Sequence, residues 1–267
     1  MATAFRWSGG DEPYLDLPTV NGFGSVTVGI YGGSVAAGAH KNEDAALVWT
    51  SENAAWTFAA LLDAHGSSES ADLVLGRVAE LQDEVVALLE RDELALSKLS
   101  ARFAQHFGDE DFRRACAAIR GETALLLCAQ QGAYLWWLSI GDIPVYVFHP
   151  EFARLGQFAL NQRMFYEWVG QVNTFALPVP CYATGIRQLR PGRNRILMAT
   201  DGLLECGSRI FENQRELETL FTSCATKEQA VTEALQQVAA EQGRDSATLI
   251  AWEVDVPETE ETMQPSA

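Results

Sequence analysis

Five aspartates stand where strands begin or end, and their surroundings give them chemical promise. The apolar run from Trp56 stops on Asp63-Ala64-His65-Gly66, and Ser67, Ser68 and Ser70 follow. Burial on both faces would let such a run form a strand without alternation. A strand ending on an acid and a histidine holds both side chains on rigid backbone, as a catalytic or metal site needs. Asp44 precedes the apolar stretch 45–49, Asp142 sits in a Gly141-Asp142 turn, Asp201 in Ala199-Thr200-Asp201-Gly202, and Asp245 before the strand 247–254. One such acid is ordinarily a turn cap. Five converging in a half-buried cleft would repel one another unless cations neutralised them. Oxygen-only ligands select hard ions, so Mg²⁺ or Mn²⁺ fits the set and zinc does not. Two such ions about 3.5–4 Å apart form a clamp for phosphoryl transfer.

The elements that must position these acids read as follows. Strands are expected at 23–31, 45–49 and 56–63. From Ser68 the residues Val74, Val78, Leu81, Val85 and Leu88 make one stripe of a long amphipathic helix. Residues 94–106 and 112–119 continue as helices, with His106 on a helix surface. Strands return at 123–129, 133–140 and 144–148. Residues 163–169 read as a helix and 173–180 as an irregular flap. Residues 185–189 and 196–199 read as a hairpin. Thr226 and Gln229 form a capping box for the next helix, and 247–254 is the last strand. The period does not alternate βαβα, so the expected fold is α+β, with two antiparallel sheets and helices on their outer faces.

Composition narrows the functions. Of 267 residues 48% are hydrophobic, and no linker, repeat or low-complexity block divides them, so one domain over 1–254 with an acidic tail at 255–267 is expected. The net charge of −17, from 19 basic and 36 acidic residues, argues against a nucleic-acid binder. No stretch has the length of a membrane span, and the N-terminus lacks the apolar core of a signal peptide. The five cysteines are odd in number and widely spaced, as free thiols in a reducing cytoplasm would be. Cys181 and Arg187 have the Cys-x5-Arg spacing of cysteine-based phosphatases. Pro178, Pro180 and Pro191 surround them, however, where that chemistry needs a loop feeding a helix N-terminus.

The order of the motifs resembles a known family. Asn42-Glu43-Asp44, Leu62-Asp63-Ala64-His65-Gly66, Gly121-Glu122-Thr123-Ala124, Ile140-Gly141-Asp142, Ala199-Thr200-Asp201-Gly202-Leu203 and Asp245-Ser246-Ala247-Thr248 follow one another. Together they resemble the metal-dependent serine/threonine protein phosphatases of type 2C, in their bacterial form, over residues 23–254. The resemblance implies a four-layer α/β/β/α sandwich. It implies two tightly bound Mn²⁺ or Mg²⁺ ions, a metal-bridging hydroxide as nucleophile, and phosphoserine or phosphothreonine proteins, made by a kinase, as substrates. Asp63 would bridge both ions, with Asp201 and Asp245 completing the set and the Ala64 carbonyl binding one ion. Glu43 and Asp44 would act through bound waters, His65 as general acid, and Asp142 with Asp201 would hold a weaker third ion.

Three positions depart from the family pattern. Ala39 stands where the family has a phosphate-gripping arginine, which leaves Lys41 as the candidate for phosphate contact. Ala64 replaces a glycine, and Gly141-Asp142-Ile143-Pro144 replaces Gly-Asp-Ser. The lost arginine gives a second reading, a pseudophosphatase that binds phosphoprotein without turning it over.

Overall fold

A computed structural model describes residues 3–258. Two sheets, antiparallel throughout, lie face to face. The larger runs β1 (Thr3–Ser8), β4 (Ala45–Thr50), β5 (Trp56–His65), β6 (Glu122–Gln131), β7 (Tyr134–Ile140) and β10 (Ala183–Gln188), with the short β9 (Val169–Gly170) also paired to β6. The smaller runs β2 (Thr19–Phe23), β3 (Val26–Tyr31), β12 (Ala247–Val256), β11 (Gly192–Ala199) and β8 (Val145–Phe148). Four helices, α1 (Glu69–Ala79), α2 (Gln82–Arg91), α3 (Ala95–Phe107) and α4 (Glu110–Ala118), cover the larger sheet. On the smaller sheet lie α6 (Asp201–Leu204), α7 (Gln214–Ser223) and α8 (Lys227–Ala240); the short α5 (Pro150–Arg154) follows β8.

Two-residue alternation explains the layers. On β4, Ala46 and Val48 join Val28, Ile30, Leu61, Leu126, Met198 and Ile250 between the sheets. Leu47 and Trp49 point the other way, to Val74, Val78 and Phe103 under the helices. On β11, Ile196 and Met198 face inward while Leu197 and Ala199 meet Val231, Leu235 and Val238 of α8. A chain buried on both faces of both sheets is the α/β/β/α sandwich expected.

Several local expectations are corrected. The stripe from Val74 to Leu88 belongs to two helices, because the chain tightens at Leu81, whose N–H donates to the Val78 carbonyl. No proline or glycine marks that break. Residues 163–169 are not helical: the Met164 N–H donates to the Gly141 carbonyl, and Val169–Gly170 pairs with β6. Long-range partners there outcompete the local helix. Residues 185–199 are not a hairpin either. β10 pairs with β7 while β11 pairs with β12 and β8, so the chain crosses between sheets at 189–191. His106 is largely buried, its Nε2 against the Arg77 carbonyl. β12 runs two residues past 254, and the expected tail from 259 onward lies outside the described residues.

Candidate active site

The registers draw four of the acids to one end of the sandwich. Ala45 pairs with Leu62, so one step further Asp44 stands opposite Asp63. Ala199 pairs with Leu249, which brings the start of α6 against the start of β12. Gly202 makes that contact possible: a Cβ there would meet the Ser246 carbonyl oxygen at 1.9 Å. Thus Asp201 and Asp245 reach the end where Asp44 and Asp63 already lie. Glu43, Ala64, Asp201, Asp245 and Ser246 line a cleft of about 630 Å³.

The buried acids have unlike surroundings. Asp44 is fully buried and accepts hydrogen bonds from Ser246 Oγ (2.9 Å), Thr248 Oγ1 (2.6 Å) and Thr200 Oγ1 (3.2 Å). Its own N–H donates to Asn42 Oδ1 at 2.9 Å. Burial pushes the Asp44 carboxyl up to about 7, assisted by the charges of Asp245 and Asp201 and opposed by the Thr248 and Ser246 hydroxyls. The Asp63 carboxylate makes no hydrogen bond or ion pair with any described residue. Burial, then the charges of Asp44, Asp201, Asp245 and Asp142, hold it well above the usual carboxylate range. Burial also raises Asp201 to about 6, with Asp245, Asp142 and Glu205 adding repulsion and Arg163 opposing it. Asp245 is exposed, and its Oδ1 accepts the Ser246 N–H at 3.0 Å.

Glu43 pairs with Lys41 at 2.5 Å, and its other oxygen, Oε1, is buried without a partner. His65 is exposed, and its ring meets the edge of Trp168 at 5.1 Å. Ala64 is buried, and its methyl packs in the cluster beneath the helices. The replacement of a glycine at that position is therefore accommodated on the side away from the acids.

Asp142 lies in the β7–β8 turn. Arg163 Nε donates to its carbonyl (3.1 Å), and Arg163 Nη2 to its Oδ2 (3.2 Å). The same Nη2 reaches Glu205 Oε1 at 2.7 Å and Asp201 Oδ2 at 3.8 Å. Asp142 Oδ1 remains buried with no partner.

Among the described residues no three His, Cys, Asp or Glu side chains are drawn together tightly enough to hold an ion as they stand. The donor set nonetheless suits a hard cation. It is all oxygen, its acids raise one another's pKa, and Glu43 and Asp142 each bury an oxygen that lacks a donor. Such orphaned oxygens are costly, and a divalent ion supplies what they lack.

Sequence reading missed two groups here. Arg163 reads from the sequence as part of a helix, and only the three-dimensional approach of its loop to Asp142 reveals its partners. Arg244 precedes Asp245 on the cleft wall, exposed and with no hydrogen bond or ion pair to a described residue. Its loop is tied to the loop bearing Ala39 by a 2.7 Å bond from Ser34 N to the Gly243 carbonyl. Ala39 itself is buried, and a Cβ on Gly33 would lie 2.9 Å from the Ala39 methyl. Ala39 nonetheless also lines the cleft, without the guanidinium that the family pattern places there. Cys181 and Arg187 are confirmed as a coincidence of spacing: Cys181 precedes β10, and Arg187 lies on that strand with its guanidinium over the Phe152 ring.

The sandwich and its acid-lined end define the fold of the type 2C phosphatases. The crystal structure of a bacterial serine phosphatase superposes with a TM-score of 0.62 at 14% identity, covering 97% of this chain and 99% of that one. The catalytic domain of the serine/threonine protein phosphatase PstP, solved with two manganese ions, gives 0.55 at 16% identity over 96% and 98%. Stp1 of Staphylococcus aureus, a serine/threonine phosphatase, gives 0.58 at 13% over 95% and 94%. No curated protein sequence matches this chain. The family model of Stage II sporulation protein E (SpoIIE) matches residues 54–255, and the chain belongs to that family. Among the described residues no helix is long and apolar enough to cross a membrane.

Proposed function

We propose that this chain is a Mn²⁺- or Mg²⁺-dependent phosphatase acting on phosphoserine or phosphothreonine in proteins phosphorylated by a kinase. The observation that carries the reading is Asp63, a buried carboxylate with no hydrogen-bond or ion-pair partner among the described residues, which feels the charges of Asp44, Asp201, Asp245 and Asp142 beside an open cleft lined by Asp201 and Asp245. Asp63, Asp201 and Asp245 would be direct ligands of two ions, with the Ala64 carbonyl, while Glu43 and Asp44 would hold coordinated waters. When bound, such ions acidify a coordinated water and offset charge on the phosphoryl oxygens.

The chain's own residues supply the rest. Thr200, Ser246 and Thr248 hold Asp44 in one orientation, and Lys41 fixes Glu43. His65, exposed and with its ring against Trp168, would donate a ring proton to the leaving alkoxide. Arg244 takes over the phosphate contact that Lys41 was expected to make. Of the basic residues lining the cleft, Lys41 is paired with Glu43 and His40 Nδ1 lies 3.3 Å from the Gly38 carbonyl. Arg244 is uncommitted, and its planar fork suits phosphate. All five cysteines are free, which supports a reducing, cytoplasmic setting. Residues 1–254 would form one catalytic domain.

The test is phosphate release from phosphoserine and phosphothreonine peptides with added Mn²⁺ and with chelator. Metal-dependent release is expected. Binding of phosphopeptide by folded, manganese-loaded protein without release would leave a pseudophosphatase.

A further inference from the structure

One cation beside the cleft is part of the chain. Arg163 leaves the loop between α5 and β9 and inserts its guanidinium among Asp142, Asp201 and Glu205, at 3.2, 3.8 and 2.7 Å. Its side chain is only 19% exposed, and Phe165 stacks under it with the ring centroid 5.0 Å away. One positive charge there faces three carboxylates, and Asp142 Oδ1 is still left buried and unpartnered. The pair Asp142–Asp201 is therefore partly neutralised, and the remaining oxygen calls for a second cation.

A divalent ion and the guanidinium cannot both hold the same oxygens. Mg²⁺ requires carboxylate oxygens at about 2.0–2.1 Å, so an ion shared by Asp142 Oδ2 and Asp201 Oδ2 would need the space between them that Arg163 Nη2 now fills. We propose that Arg163 is a positioning residue, a tethered cation that competes with divalent ions for Asp142 and Asp201. This inference rests on the divalent-cation reading of the cleft. The segment that carries Arg163 also carries Trp168, which braces His65, and Met164, whose N–H donates to the Gly141 carbonyl at 3.0 Å. An ion that displaced the guanidinium would free this segment beside the histidine. By linkage, holding the segment in place weakens that ion equally.

The experiment is manganese titration by calorimetry of the wild type, Arg163→Met and Arg163→Lys. The methionine variant should bind one further ion, or bind its weakest ion about tenfold more tightly than the wild type, within the usual range of coupling between sites. Lysine keeps the charge and should return the titration most of the way to wild type. In the wild type, saturating Mn²⁺ should accelerate hydrogen exchange at the Met164 amide and its neighbours. Equal stoichiometry and affinity in wild type and Arg163→Met would overturn the competition, leaving an ordinary structural ion pair. Absence of manganese binding in every protein would overturn the cation reading itself. Should the methionine variant fail to fold, the wild-type exchange measurement decides: unchanged exchange at Met164 with manganese bound overturns the proposal.

Discussion

The two sides of the acid cleft satisfy their carboxylates by different means. Around Asp44 the donors are three neutral hydroxyls, from Thr200, Ser246 and Thr248. Around Asp142 the donor is a charged guanidinium. Hydroxyls fill lone pairs and fix geometry but leave the negative charge in place, whereas Arg163 removes charge and adds a competitor. Asp63, between them, has neither. A cation entering the Asp44–Asp63 side meets no protein rival, while one entering the Asp142–Asp201 side must displace Arg163. The difference shows that a cluster of acids is not one site: the groups hydrogen-bonded to each acid decide which of them are available.

Asp63→Asn should break this contrast most completely. It removes the charge that most needs a cation, so manganese-dependent turnover should fall on the order of 10³-fold, the scale of a lost electrostatic stabiliser. The metal-free protein should gain stability, because a carboxylate that burial and four neighbouring acids disfavour is gone. Turnover near wild type, or a lower melting temperature in chelator, would count against Asp63 as the unpartnered centre of the cleft.

Arg244→Ala should have a smaller and more selective effect. A charge-assisted hydrogen bond to phosphate contributes about 1.5–3 kcal/mol, so KM for a phosphopeptide should rise about tenfold or more, with kcat little changed if ground and transition states are held alike. Lys41→Ala should raise KM less, since that ammonium is committed to Glu43. The reverse ranking would return the phosphate contact to Lys41.

These two residues also mark how far the sequence could be read. Asp63 and the acids around it were legible because strand-ending acids beside glycine and serine have local signatures, and the strands bearing them are long apolar runs. The sandwich followed from the same runs and from the absence of a βαβα alternation. Pairing of β10 was not legible: Pro191-Gly192 looks like a hairpin turn, yet the sheet to which each strand belongs depends on β7 and β12, distant in sequence. The helix expected at 163–169 failed for a related reason. Its local pattern allows a helix, but Arg163 and Met164 have stronger partners at Asp142 and Gly141. Arg244 looks in the sequence like any surface arginine, because nothing local shows that it faces a cleft.

The hydroxyls around Asp44 supply the last and smallest test. Thr248 Oγ1 donates to Asp44 Oδ2 at 2.6 Å and opposes the rise in the carboxyl's pKa. Burial pushes the Asp44 carboxyl in the metal-free fold up to about 7, from the ordinary 3.8. The native state therefore holds a proton that the unfolded chain releases first. The stability this supplies is fully present below about pH 4 and is lost as pH rises through about 7. Thr248→Val removes the hydroxyl while keeping the shape and the Thr248 N–H bond to Thr200 Oγ1, so the carboxyl should titrate still higher. Denaturation in chelator should then show the variant losing about 1 kcal/mol more, relative to wild type, at about pH 8 than at about pH 5. The pH at which manganese begins to stabilise the protein should move up as well, because the proton is harder to displace. If the variant's deficit were the same at both pH values, the hydroxyl would be serving packing alone, and the two sides of the cleft would differ less than their hydrogen bonds indicate.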